Sequence, residues 1–303
     1  MPERYRLTKE HFASFADIAP LCAFYQDANA IAANDAEPVF RRKVKGAPVE
    51  CCSMRWGIEI ADRKVINTKS ENTNQHRGTV VHGRCLIPMS GWLDMFRTTS
   101  RGLDPVLVQP TDKSALACAG LWTSRWHPAW SQAREAFSML TAPAGSGSLW
   151  LHHRMPLLVP REMWSLWLSD TLPYEEVCEL IEVLTKQTRK LKLLTHPVRP
   201  LMRHLVIADD FSEPLPWWKP SYQTALSIVH RRQFVCPAEF AAESAVNVGR
   251  AANVLARLQQ HGYLDFRPNP AAEDMEMWAL PLQDEDAARA EKWRKERGRG
   301  QVG

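Results

Sequence analysis

The sequence predicts an α+β protein: a large sheet-rich domain, read as an open barrel of mostly antiparallel strands, followed by a small helical domain that closes in a β-hairpin. Three observations predict it. From Val65 onward short β-rich segments recur with turn residues between them: KVIN, RCLIP, PVLVQP, ALACAGLW, AFSMLTA and MPLLV. Helical pattern then takes over from Pro160 to Leu191. Beyond a proline-rich stretch the pattern runs helix, helix, helix and two strands.

Taken in order, Thr8 is placed to cap a short helix reaching Ala16, and the chain from there to Trp56 mixes Pro, Asn, Asp and Ala with short apolar runs, as loops and strands do. After the β-rich segments, PREMWSLWL (160–168) and PYEEVCELIEVLTKQTRKL (173–191) each carry Pro near the first turn and acidic residues early, two marks of a helix start. The segment DDFSEPLPWWKPSY (209–222), with three prolines and paired tryptophans, ends a first domain spanning 1–214 and forms a short linker. The second domain, 222–282, reads as a helix to about Arg232, a short helix from Pro237, a turn at Ser244 to Asn247, a longer helix to His261, then the strands YLDFRP and MEMWALP. That order resembles a winged helix-turn-helix. Residues 283–303 form a charged tail, acidic in DED and basic in EKWRKERGRG, expected as a frayed helix or disorder.

The 303 residues are 45% hydrophobic, enough for a sizeable core, and the formal net charge of +4 permits an anionic partner without demanding one. The seven cysteines form no CxxC pair, and their odd number argues against a disulfide framework. The expectation is a reducing cytoplasm, no metal and no cofactor. The opening MPERYRLTKEHF has no apolar core of a signal peptide, and no apolar run is long enough to cross a bilayer, so a soluble cytoplasmic protein with no membrane partner is expected.

The informative stretches lie in the first domain: MRWGI (54–58), INTKSENT (66–73), RCLIPMSGWLDM (84–95), AGLW (119–122) and TAPAGSGSLWLHHRMPLLV (141–159). Together, in this order, they resemble the SOS response-associated peptidase (SRAP) family, the abasic site processing proteins of the DNA damage response. HPVRPLMRHLVIADDF (196–211) extends the likeness to about Pro214, short of the winged-helix-like segment. The resemblance implies a sheet-rich domain whose groove holds single-stranded DNA and reacts covalently with abasic sites. Members typically begin MCGR, and once Met is removed the cysteine's amine and thiol capture the sugar aldehyde as a thiazolidine.

Here the corresponding run is MPER: Arg4 matches, while Pro2 and Glu3 replace Cys and Gly. A thiazolidine needs an amine and a thiol on neighbouring carbons, and proline supplies no thiol. It does keep a reactive nitrogen. A free α-amine titrates at roughly 7.7 to 8.0 in ordinary chains, and a secondary amine condenses with an aldehyde to an iminium ion, from which β-elimination can follow. Two readings therefore stand: an enzyme in which Pro2 is the nucleophile of a lyase or reversible crosslink, and a catalytically silent relative that regulates or scaffolds. Proteolysis of other proteins ranks below both, since no independent Ser/His/Asp or Cys/His arrangement is visible.

The resemblance also assigns roles. Asn67 matches the asparagine beside the abasic sugar; Asp94 stands at a glutamate position, its carboxylate withdrawn by roughly 1 Å or more; His152 matches the general acid/base, and an imidazole near its ordinary pKa of about 6.5 both accepts and donates protons. DNA contacts are expected from Arg4, Lys69, Arg84 and Arg154, with Trp56 and Met89 as apolar surfaces for bases. In the second domain, the helix from about Val248 to Gln260 offers Arg250, Asn253 and Arg257 to duplex DNA, or to a protein.

Overall fold

In the computed structural model, residues 4–22, 25, 28–60, 63–99, 102–127, 132–198, 213–269, 271 and 276–281 are described. Pro2, the tail from 283 and most of HPVRPLMRHLVIADDF lie outside them. The chain packs as two compact units, and the second is assembled from two separate pieces, Met95–Pro105 and Leu215 onward. The linear division at 214 does not anticipate the first piece.

The first unit is built on a closed barrel, where the sequence predicts an open one. Five strands form it: β3 (Ala36–Arg42), β4 (Val49–Trp56), β8 (Arg84–Met89), β11 (Leu116–His127) and β12 (Gln132–Pro143). β8 pairs with β3, β3 with β4, β4 with β12 and β12 with β11, which returns to β8. Closure depends on β12, whose 12 residues lie antiparallel to β11 and meet β4 in parallel through Ala136 and Phe137. A closed sheet removes the exposed edges that an open one must protect.

Period-two alternation decides what fills the barrel. Glu37, Val39 and Arg41 on β3 stand opposite Met54, Cys52 and Glu50 on β4, so these side chains share the inner face. Gly120 on β11 faces the same interior: a Cβ there would come within 2.8 Å of both Cys85 Sγ and Ile87 Cδ1, too close to tolerate. Arg41, 2% exposed, is held by Glu50 at 3.0 Å and Glu135 at 2.7 Å, with its guanidinium 4.0 Å from the Trp122 ring centroid. The outward Phe40 packs against Phe12 and Phe15, the first of which lies on α1 (Lys9–Ala13), capped by Thr8 as the sequence predicts.

Glu37 also faces this interior. Burial first, and then the charge of Asp35, push its carboxyl up to about 7. A raised carboxyl favours the fold while protonated, so its contribution is complete below the ordinary value of 4.5 and is lost as pH rises through about 7. Glu37→Gln is therefore expected to raise stability at pH 8 by about 1–2 kcal/mol, allowing for solvent screening, and to change little at pH 4. Urea unfolding at the two pH values checks this; equal shifts at both would sink it.

A second sheet in the order β14–β10–β9–β1–β2 joins β1 (Arg4–Leu7), β2 (Ala28–Ala32), β9 (Gly91–Thr98), β10 (Gly102–Pro110) and β14 (Leu193–Pro197). β1 lies between β2 and β9, with Arg4 opposite Ala32 on one side and Leu93 on the other. Three short strands follow β4: β5 (Ile58–Ile60) pairs with β6 (Arg63–Val65), and β7 (Asn67–Lys69) pairs with β12. Helix α2 (Arg77–His82) leads into β8, and β13 (Arg154–Pro156) adds to β12. The predicted helix at 160–168 is a 3-10 turn, Arg161–Met163, running into the single turn α3 (Trp164–Trp167). α4 (Tyr174–Thr188) buries Val177, Leu180, Ile181 and Leu184, one stripe at helical spacing.

The second unit contains α5 (Pro220–Arg232), α6 (Pro237–Ser244), α7 (Val248–Gln260) and the antiparallel pair β15 (Asp265–Pro268) and β16 (Glu276–Ala279). Asn247 caps α7, its Oδ1 accepting the Arg250 N–H at 2.8 Å, and Ala251, Leu255 and Leu258 face the core. The mid-chain piece completes this core: Phe96 stacks on Tyr263 with centroids 5.2 Å apart, Tyr263 Oη donates to Asp104 Oδ2 at 3.2 Å, and Thr99 N–H donates to Gly262 O.

Candidate functional site

The far half of β12 organises the sequence-predicted residues of the first unit. β7 runs parallel along one side, with Asn67 opposite Met139 and Lys69 opposite Thr141; β13 runs antiparallel along the other, with Arg154 opposite Pro143. Asn67 is half-buried and Lys69 exposed. A turn over residues 146–151 delivers His152, whose backbone N–H donates to Ser148 O. Gly145 permits that turn because a Cβ there would meet Arg189 O at 2.3 Å.

The sequence predicts base contact from Trp56, but the structure assigns it a scaffold role. It is fully buried, its Nε1–H donates to Ile66 O at 2.8 Å, and Tyr5 meets it edge-on at 5.4 Å. Ile66 O also accepts the Met139 N–H at 3.0 Å. One carbonyl therefore ties Trp56 and β12 to the residue before Asn67. Through Tyr5 the same tie reaches β1, where Arg4 stands beside Leu93 of β9. Asp94 follows on β9 and is 5% exposed.

Three more contacts expected from the sequence are corrected. Met89 is fully buried on the inner face of β8 and offers no surface to a base. Arg84 is 5% exposed and its guanidinium donates to the carbonyls of Trp167, Val80 and Ser169, so it ties α3 to the barrel instead of facing a phosphate. Arg154 is 6% exposed: its Nη1 and Nη2 fork onto Glu71 Oε1 and Oε2 at 2.6 and 2.9 Å, and Nη2 also reaches Thr141. An arginine so engaged has no fork left for DNA. Glu71 is the residue that sequence reasoning missed. It stands in INTKSENT two positions after Lys69, and that proximity to a motif arginine's partner strand was the available signal. The Arg154 guanidinium holds its carboxyl below the ordinary range.

Arg154 in turn positions His152. The Arg154 backbone N–H donates to His152 Nδ1 at 2.8 Å, which assigns the proton of the neutral ring to Nε2. Burial, reinforced by nearby positive charge including His153 and Arg154, pushes the imidazole down to about 3. At neutral pH it is an uncharged Nε2–H donor, where the sequence expectation is an acid/base near its ordinary pKa. Arg4 is half-buried, and Arg250, Asn253 and Arg257 all lie exposed on α7. Among the described residues no three His, Cys, Asp or Glu side chains are grouped to hold a metal, and no helix is long and apolar enough to cross a membrane.

A closed, sheet-rich barrel whose long strand β12 is flanked by the strands carrying Asn67 and Arg154 defines the class. The model of the SOS response associated peptidase (SRAP) family matches residues 3–205, and the chain belongs to that family. Membership carries an abasic-site and DNA-associated function and a DNA substrate in general. The fold is shared with a Bacteroides thetaiotaomicron protein at 16% identity (TM-score 0.53, covering 65% of this chain and 92% of that one). It is shared also with a phage-related protein of Bordetella bronchiseptica at 20% identity (TM-score 0.51, 65% and 94%) and with another protein of that organism at 20% identity (TM-score 0.51, 65% and 100%). No curated protein matches the chain.

Proposed function

We propose that the first unit recognises abasic sites in single-stranded DNA and that Pro2, once Met1 is removed, takes the sugar aldehyde as an iminium ion. The observation that carries this reading is that, although the family's cysteine is gone, His152 Nδ1 accepts the Arg154 backbone N–H and Asn67 stands at the start of the strand paired with β12. In the proposed step the Pro2 nitrogen attacks the aldehyde carbon, and the carbonyl oxygen receives the amine's proton and a second one from solvent and leaves as water as the C=N⁺ bond forms. The His152 Nε2–H stabilises the oxygen as charge develops, and Asn67 orients the reacting end. The Asp94 carboxylate relays the amine's proton. The iminium acidifies the C2′ hydrogen; its removal expels the 3′ phosphate, and water then releases the amine.

Borohydride tests this, because only an imine or iminium is reduced to a permanent bond. Intact mass should show Met1 absent and a borohydride-dependent adduct with abasic single-stranded DNA. A retained Met1, or tight binding with no adduct, would instead make this a silent relative that regulates or scaffolds.

A second reading is favoured by one observation: Arg250, Asn253 and Arg257 recur at three- and four-residue spacing on the exposed side of α7. Three helices followed by a two-stranded wing suit a winged helix-turn-helix, with α7 in the major groove of duplex DNA. The double variant Arg250→Ala with Arg257→Ala is expected to weaken duplex binding and flatten its salt slope by about 1.8. An unchanged slope would point α7 to a protein partner.

A further inference from the structure

Cys22 Sγ and Cys51 Sγ stand 2.6 Å apart, about half an ångström beyond the roughly 2.05 Å of a covalent S–S bond. Cys22 belongs to the segment between α1 and β2; Cys51 lies on β4, opposite Phe40 and therefore on the outward face of the barrel. Both are half-buried, open enough for a small oxidant. The neighbouring Cys52 points the other way, into the interior with Arg41, so strand alternation removes it as the partner of Cys22. Cys85 and Cys118 are closed within the barrel.

We infer that Cys22 and Cys51 form a redox-modification site that a peroxide closes into a disulfide. One sulfur, as thiolate, attacks a peroxide oxygen; the O–O bond breaks, and the released hydroxide leaves as water with that thiol's proton. The second sulfur attacks the resulting sulfenic sulfur, forming S–S and breaking S–O, and a second water carries off the second thiol's proton. Two thiols are thus oxidised to one disulfide while one hydrogen peroxide is reduced to two waters. The bond ties Cys22, beyond the end of α1, directly to β4 in the barrel wall.

The test treats the full-length protein with hydrogen peroxide, then denatures, alkylates and weighs it. The expected result is two fewer alkylated thiols out of seven, a mass lower by about 2 Da before alkylation, and a Cys22–Cys51 peptide link that dithiothreitol removes. Cys52→Ser must still form the link, whereas Cys22→Ser and Cys51→Ser must not. All seven thiols remaining alkylatable in the wild-type chain, or a link lost in Cys52→Ser, overturns the inference, and the wild-type measurement stands even where a variant fails to fold.

Discussion

Pro2→Cys protein lacking Met1 is expected to form a heat-stable crosslink with abasic single-stranded DNA without borohydride, while the native chain forms none under the same conditions. The substitution restores an amine and a thiol on neighbouring carbons, the pair a five-membered thiazolidine requires, to a chain in which Ile66 O, next to Asn67, is tied to Trp56 and His152 Nδ1 accepts the Arg154 N–H. Denaturing gel electrophoresis reads the outcome as presence or absence of a band. If Pro2→Cys alone is inert but Pro2→Cys with Asp94→Glu crosslinks, the fault lies in a carboxylate withdrawn by roughly 1.5 Å, one carbon–carbon bond. If both are inert though folded, the groove no longer holds an abasic sugar and the regulatory reading replaces the reactive one.

The second large effect concerns the Arg154–Glu71 pair. Arg154→Ala should cost about 1–3 kcal/mol, because it leaves the buried Thr141 carbonyl without its donor, while the half-exposed Glu71 carboxylate turns to water. Chemical denaturation measures it as a lower urea midpoint; a loss below about 1 kcal/mol, the scale of a surface ion pair, would mean that the pair is surface-like. Arg154→Lys cannot reproduce the fork and should recover only part of the loss. The same pair separates structure from DNA contact. Since the Arg154 guanidinium is engaged internally, Arg154→Lys should leave the salt slope of single-strand binding unchanged, whereas Lys69→Ala, which removes an exposed cation, should flatten it by about 0.7.

Local pattern was legible where each residue's own chemistry decides it. RCLIP, PVLVQP and AFSMLTA are strands, Thr8 accepts the hydrogen bond of a helix cap, and the helices after Pro173 and Cys236 begin where the sequence places them, whereas α5 begins at Pro220, inside the stretch read as a linker. Barrel closure was not legible, because β12 completes the ring by a parallel pairing with β4 and nothing local in AFSMLTA encodes a partner so distant in sequence. The site shows the same division. A motif identifies Arg84, Arg154 and Trp56 as important but carries no direction for their side chains. Direction was partly available for Trp56: in VECCSMRW, Glu50, Cys52, Met54 and Trp56 alternate onto one face, and a face shared with Met54 is a core face. For His152 the environment overrules the residue type, since desolvation moves its pKa by more than any property of imidazole alone could indicate.

The two-piece construction of the second unit sets an order of events during synthesis. Phe96 and Asp104 leave the ribosome long before Tyr263, the residue that covers one and hydrogen-bonds the other, has been made. At about 5–20 residues per second the gap from 96 to 263 corresponds to roughly 8–33 s. For that interval the hairpin end carries an uncovered aromatic ring and a carboxylate awaiting its hydroxyl. A chain terminated at Pro214 would carry them permanently, so a truncated first unit should be prone to self-association until Phe96 is replaced by a polar residue.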